Sequence, residues 1–176
     1  IVEKIVEPTL KGCREEGFEF RGILFLGLMM TASGAQLLEY NVRFGDPETQ
    51  AILVRLKTDF LEICEAIHAQ TLGKIEIEWL PGSSACVVLA SKGYPAKAQT
   101  GDSIHGLGEA GEDETVVVFH AGTAKNENGE FVTAGGRVLS VTATAENLPE
   151  ALNRAYKAVE KINWDGMQFR RDIGKK

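Results

Sequence analysis

Residues 37–50 of the 176-residue chain read LLEYNVRFGDPETQ. Glu39, Asn41 and Arg43 fall at every second position, so an extended strand sets a carboxylate, an amide and a guanidinium on one face. Alternate residues on such a face sit about 6.6–6.8 Å apart, close enough for two oxygen donors to close on one hard cation. Magnesium takes few protein ligands and completes its octahedron with water and phosphate, a demand that Glu39 and Asn41 match. Arg43 is placed to meet an anion alongside. Asp46, Pro47 and Glu48 then predict a helix start, with Asp46 as N-cap, and its free N–H groups also suit an anion. The opposite face carries Leu38, Tyr40, Val42 and Phe44. The same alternation equally describes a half-exposed strand with ordinary polar residues outward, and spacing alone does not separate the two.

Other candidates are weaker. His120, in FHAGT, ends a strand with no second histidine near it in sequence, the usual setting of a structural histidine. Gly135-Gly136-Arg137 puts a cation after two permissive residues, so backbone and guanidinium can both approach a ligand; a bulge in a hairpin strand explains it as well. No Walker A or G-x-S-x-G element is present, which removes a P-loop phosphate cradle and a nucleophile elbow.

The elements that must carry these residues follow from periodicity. Residues 1–16 show a helical stripe interrupted by Pro8, with Gly17 as the stop. FRGILFLGLMM (20–30) is apolar almost throughout, the pattern of a strand buried on both faces, and QLLEYNVRF (36–44) returns as its partner. A helix from Asp46 to about Leu72 is expected, with Ile52, Leu53, Leu56, Phe60, Ile63 and Ile67 inward and Gly73 ending it. KIEIEWL and SACVVLAS read as strands around Pro81-Gly82. A polar, Gly-rich segment (92–114) is long for a loop and suggests a lid or binding loop. TVVVFHAGTAK and EFVTAGGRVLSVTAT flank the hairpin signal NENG, and residues 147–162 form an amphipathic helix. The class is α+β, in two domains, 1–74 and 75–176.

Bulk composition narrows the function. A net charge of −6 argues against a broad nucleic-acid surface, and the basic tail FRRDIGKK reads as solvated. No apolar run approaches a membrane span, so no membrane partner is expected. Three scattered cysteines without a CxxC pair make sulfur-bound metal improbable and point to a reducing cytoplasm.

The run LEYNVRFGDPETQ resembles the signature of the glycinamide ribonucleotide synthetases, ATP-grasp ligases of purine biosynthesis. FRGILFLGLM, ASKGYP, VFHAGT, GGRVLSVTA and FRRDIG agree in order, so the resemblance covers nearly the whole chain. It implies the C-terminal half of an ATP-grasp domain followed by a small domain of antiparallel sheet and helix. It further implies ligation of glycine to 5-phosphoribosylamine with ATP as co-substrate, through glycyl phosphate. Glu39 and Asn41 carry over as ligands of Mg2+ or Mn2+. Arg43 carries over as the catalytic, anion-binding residue, with Asp46, Glu48 and Arg137 beside the substrates. Many ATP-grasp enzymes place a further acidic ligand near the position of Gly27, and this chain lacks it. The segment AKAQTG after Gly93-Tyr94-Pro95 also departs from the family pattern.

The family's amine-site domain, ATP lid and first half of the grasp are not among these residues, so the expected partner is that N-terminal part of the same enzyme. The fragment alone is expected to be inactive. Two alternatives stay open: a different ATP-grasp carboxylate–amine ligase, and a non-catalytic assembly module derived from the ligase C-terminus.

Overall fold

The computed structural model describes residues 1–175. Two compact units emerge, one of Ile1–Gly45 with Thr58–Ile77, the other of Asp46–Lys57 with Glu78–Lys176. Residues 46–57, expected within a first domain of 1–74, instead pack with the C-terminal residues. Their backbone accounts for this: Lys57 N–H donates to Glu78 O at 3.0 Å and Leu80 N–H to Arg55 O at 2.7 Å.

In the first unit, a π-helical stretch (Val2–Val6) runs into α1 (Glu7–Glu15), so the chain restarts its helix at Pro8 rather than breaking. Gly17, at φ +74°, closes α1: Gly17 N–H reaches Arg14 O and Phe18 N–H reaches Cys13 O, the paired bonds of a Schellman end. Strands β1 (Phe25–Thr31) and β2 (Gly34–Asn41) form a two-stranded antiparallel sheet. The expectation that β1 is buried on both faces fails, since Met29 and Met30 are exposed. A two-stranded sheet does not cover both faces of its own strands. Leu38, Tyr40 and Val42 are exposed likewise, while Phe44 stacks on Phe60 at 5.9 Å.

The long helix expected over 46–72 is two helices, α2 (Glu48–Leu53) in the second unit and α3 (Phe60–His68) in the first. Residues 54–59 leave the helix, and Asp59 caps α3 by accepting from Leu61 N–H at 2.8 Å. Helix α3 ends at His68, before Gly73; just past it Gln70 takes φ +58° while Thr71 N–H returns to Ala66 O. Of the expected inner stripe, Ile63 is buried, whereas Ile52 and Phe60 are exposed.

In the second unit, β3 (Ser83–Ala90), α4 (Leu107–Ala110), β4 (Val116–His120), β5 (Thr123–Lys125), β6 (Phe131–Thr133), β7 (Arg137–Ala145) and α5 (Leu148–Val159) follow in order. Sheet order is β3-β7-β4, antiparallel, and β5 pairs β6 across the expected NENG turn. KIEIEWL forms no strand of its own; only Trp79 bridges, to Leu56. Alternation decides the faces: Val87, Leu89, Leu139, Val141 and Ala143 point to the core with Ala151, Ala155, Val159 and Ile162 of the C-terminal helix region. Asn147 caps α5 by accepting from Glu150 N–H at 3.0 Å.

Candidate functional site

Strand β2 delivers Glu39 and Asn41 to the same face, as period-2 spacing predicts. Their side chains touch: Asn41 Nδ2 donates to Glu39 Oε1 at 3.2 Å. The pair is solvent-accessible, so a ligand can reach it. The donor set suits a hard cation that takes two protein oxygens and fills its shell with water and phosphate, provided the Asn41 amide turns its oxygen inward. Among the described residues no group of three or more His, Cys, Asp or Glu gathers as a metal site. Glu39 and Asn41 themselves supply one carboxylate and one amide.

Arg43 is exposed, and its Nη1 donates to Phe44 O at 2.9 Å. A guanidinium has five N–H donors, so this bond leaves most of them for an anion. Asp46 is not the cap of α2; Pro47 occupies that position and no side chain caps the helix. The Asp46 carboxylate is used elsewhere. Its Oδ1 accepts from Gln50 Nε2 at 2.7 Å, and its Oδ2 lies 3.2 Å from Arg137 Nε. Arg137 Nη1 also donates to the Asp46 carbonyl at 3.1 Å, so the guanidinium clasps one residue twice. With six residues, α2 is too short to offer the anion-binding N-terminus expected from sequence. Glu48 lies in its first turn and keeps Oε2 buried without a hydrogen-bond partner.

The predicted residues thus fall into two groups. Glu39 and Asn41 meet in the first unit, where Arg43 also lies; Asp46 and Arg137 meet in the second, with Glu48 nearby in sequence. Gly136, ahead of Arg137, packs against the Tyr94 ring so closely that a Cβ would lie 2.6 Å from Tyr94 Cδ2. Its lack of a side chain is explained by that contact. His120 shares a hydrogen bond with Thr123 Oγ1 at 3.0 Å and packs on Phe131, a structural setting.

Sequence reasoning passed over Gln50, Cys86, Ser140 and Thr142. Gln50 Nε2 also reaches Ser140 Oγ at 3.3 Å, tying α2 to β7. Cys86 pairs with Thr142 across β3 and β7. Burial pushes the Cys86 thiol up; the neighbouring hydroxyls of Thr142 and Ser140 oppose this, and the negative charges of Asp46 and Glu48 raise it further. A thiol so placed stays protonated near neutrality and is a poor nucleophile. A cavity of about 480 Å³ is lined by Pro47, Cys86, Val88, Tyr94, Arg137, Gln168 and neighbouring residues. The signal that could have found this face is the alternation Ser84-Cys86-Val88 against Ser140-Thr142-Thr144.

Among the described residues no helix is long and apolar enough to cross a membrane. Two family models match: the phosphoribosylglycinamide synthetase ATP-grasp (A) domain over residues 1–49, and the C domain of the same synthetase over 84–176. A phosphoribosylamine–glycine ligase of Clostridium acetobutylicum is 49% identical over 173 residues, 98% of this chain and 40% of that protein. One from Vigna unguiculata is 46% identical over 94% of the chain and 54% of its own length. The crystal structure of the phosphoribosylamine–glycine ligase of Thermotoga maritima superposes with a TM-score of 0.83 at 38% identity, over 98% of this chain and 42% of that one. An N5-carboxyaminoimidazole ribonucleotide synthetase of Thermotoga maritima, 19% identical with a TM-score of 0.56, shares the fold alone. The chain spans about 40% of the length of the first curated relatives it matches. These matches bear out the α+β class expected from sequence, part of an ATP-grasp domain followed by an antiparallel-sheet-plus-helix domain.

Proposed function

Because the chain belongs to the phosphoribosylglycinamide synthetase family, we propose that it supplies cation- and substrate-binding residues to an ATP-dependent ligase that joins 5-phosphoribosylamine to glycine. The observation that carries this reading is the contact of Glu39 and Asn41, 3.2 Å apart on the segment matched by the ATP-grasp model. In the proposed reaction a glycine carboxylate oxygen takes the γ-phosphoryl group of ATP, giving glycyl phosphate and ADP. The amine nitrogen of 5-phosphoribosylamine then attacks the carbonyl carbon, phosphate leaves, and the amide forms with loss of a proton.

This chain's residues contribute binding and charge. Glu39 and Asn41 would hold Mg2+ or Mn2+. When bound, that cation neutralises phosphate charge as the phosphoryl group moves. Arg43, with donors left over after its bond to Phe44, offers a planar cation to phosphate or carboxylate. Asp46 fixes the orientation of Arg137 by accepting from it at Oδ2 and at its carbonyl, and Arg137 keeps further N–H donors for a substrate anion. Glu48, at the start of α2, is assigned to the same substrate region.

The test is Glu39→Ala in the full-length protein. Glycine- and magnesium-dependent ADP release should fall to background while the fold survives, since the Glu39 side chain is exposed. Turnover that persists at saturating magnesium would remove Glu39 from the site.

A further inference from the structure

Gly27 lies within β1, directly opposite Glu39 in the antiparallel register. A strand interior disfavours glycine, which loses the most backbone freedom on folding and packs no side chain. Its backbone does not call for it, because Gly27 is not among the glycines of positive φ. What does call for it is space. A Cβ at position 27 would lie 2.8 Å from Cγ of Glu39, 3.5 Å from Oε1 and 3.6 Å from Cδ. The glutamate stem therefore lies across the backbone of the facing strand, where any other residue would project a side chain.

A second observation points the same way. Pairing slips at this position: Gly27 faces Glu39 while Leu28 faces Leu37, which leaves Leu38 as the extra residue of a bulge on β2. Bulges bend a strand and re-aim the side chains beside them. The bulge and the glycine thus meet at one residue, Glu39, whose Oε1 accepts from Asn41 at 3.2 Å.

We propose that Gly27 is a positioning residue for the cation site: its bare backbone is the slot in which the Glu39 stem lies, holding the carboxylate beside Asn41. This rests on the reading of Glu39 and Asn41 as cation ligands. A methyl group at position 27 displaces a flexible stem rather than a backbone, so Glu39 swings away while the hairpin persists. Loss of an orienting neighbour is then felt as weaker metal binding.

The experiment measures Mn2+ affinity by electron paramagnetic resonance in the full-length protein, for the parent, Gly27→Ala, Glu39→Ala and the double variant, with a thermal melt of each. Gly27→Ala is expected to weaken Mn2+ binding on the order of tenfold, the lower end for loss of an orienting contact, without lowering the melting temperature. Glu39→Ala should weaken it at least as much. Adding Gly27→Ala to Glu39→Ala should then cost nothing more, because no Cγ remains to collide. Parent-like affinity in Gly27→Ala, with Glu39→Ala impaired, overturns the role of Gly27 and leaves the ligand reading standing; additive losses in the double variant do the same. Unchanged affinity in Glu39→Ala removes the ligand reading and this inference together. A Gly27→Ala protein that does not fold also refutes it, since the collision would then involve more than a mobile stem.

Discussion

The clasp between Asp46 and Arg137 gives a prediction whose size follows from the geometry. Asp46→Ala deletes the acceptor of the 2.7 Å bond from Gln50 and the carboxylate facing Arg137 Nε at 3.2 Å. A hydrogen bond to a charged acceptor contributes roughly 1.5–3 kcal/mol, and partial exposure places this one near the lower bound. The ion pair has side chains 44% and 38% exposed, so it is held to about 0.2–1 kcal/mol. Asp46→Ala should therefore cost about 2 kcal/mol. Arg137→Ala loses the ion pair and the exposed bond to the Asp46 carbonyl, about 1 kcal/mol in all. Only the ion pair is common to both, so the double variant should fall about 0.5 kcal/mol short of the sum. Urea unfolding followed by the fluorescence of Trp164, buried in the core of the same unit, reads these values. In about 1 M salt the coupling should shrink, as an exposed pair is screened. A cost below about 0.5 kcal/mol for Asp46→Ala, or strict additivity at low salt, would refute the clasp as drawn.

Two further outcomes test the second unit. Leu89→Ala, at a fully buried position between sheet and α5, should destabilise by about 2–5 kcal/mol and lower the urea midpoint without changing the slope. Cys86 has a folded-state pKa raised above the ordinary 9.0, chiefly by burial. The unfolded thiol thus ionises first as pH rises, so stability from this group is complete below pH 9.0 and declines through the folded pKa. Cys86→Ala should flatten that alkaline decline, and an unchanged slope between neutral and strongly alkaline pH would contradict the burial argument.

Elements with strong local signals were legible. The amphipathic period of residues 147–162 marked α5. NENG marked the β5–β6 turn, and alternation in SACVVLAS and RVLSVTAT marked the two long strands of the sheet. The stripe from Ile52 to Ile67 misled, because its helical period runs unbroken across residues 54–59. That segment leaves the helix for backbone partners at Glu78 and Leu80, which no local pattern reports.

The sequence by itself determined the adjacency of Glu39 and Asn41, since two residues apart on a strand share a face whatever surrounds them. It also determined the family, through runs such as RFGDPE that survive in order. Tertiary structure alone decided that Asp46 clasps Arg137, 91 residues away, instead of capping a helix. It alone decided that Gly27 leaves room for the stem of Glu39. Periodicity describes a residue's relation to its neighbours in the chain. Hydrogen bonds and close approaches depend on which distant backbone comes within about 3 Å, and that is settled only when the strands and loops have packed.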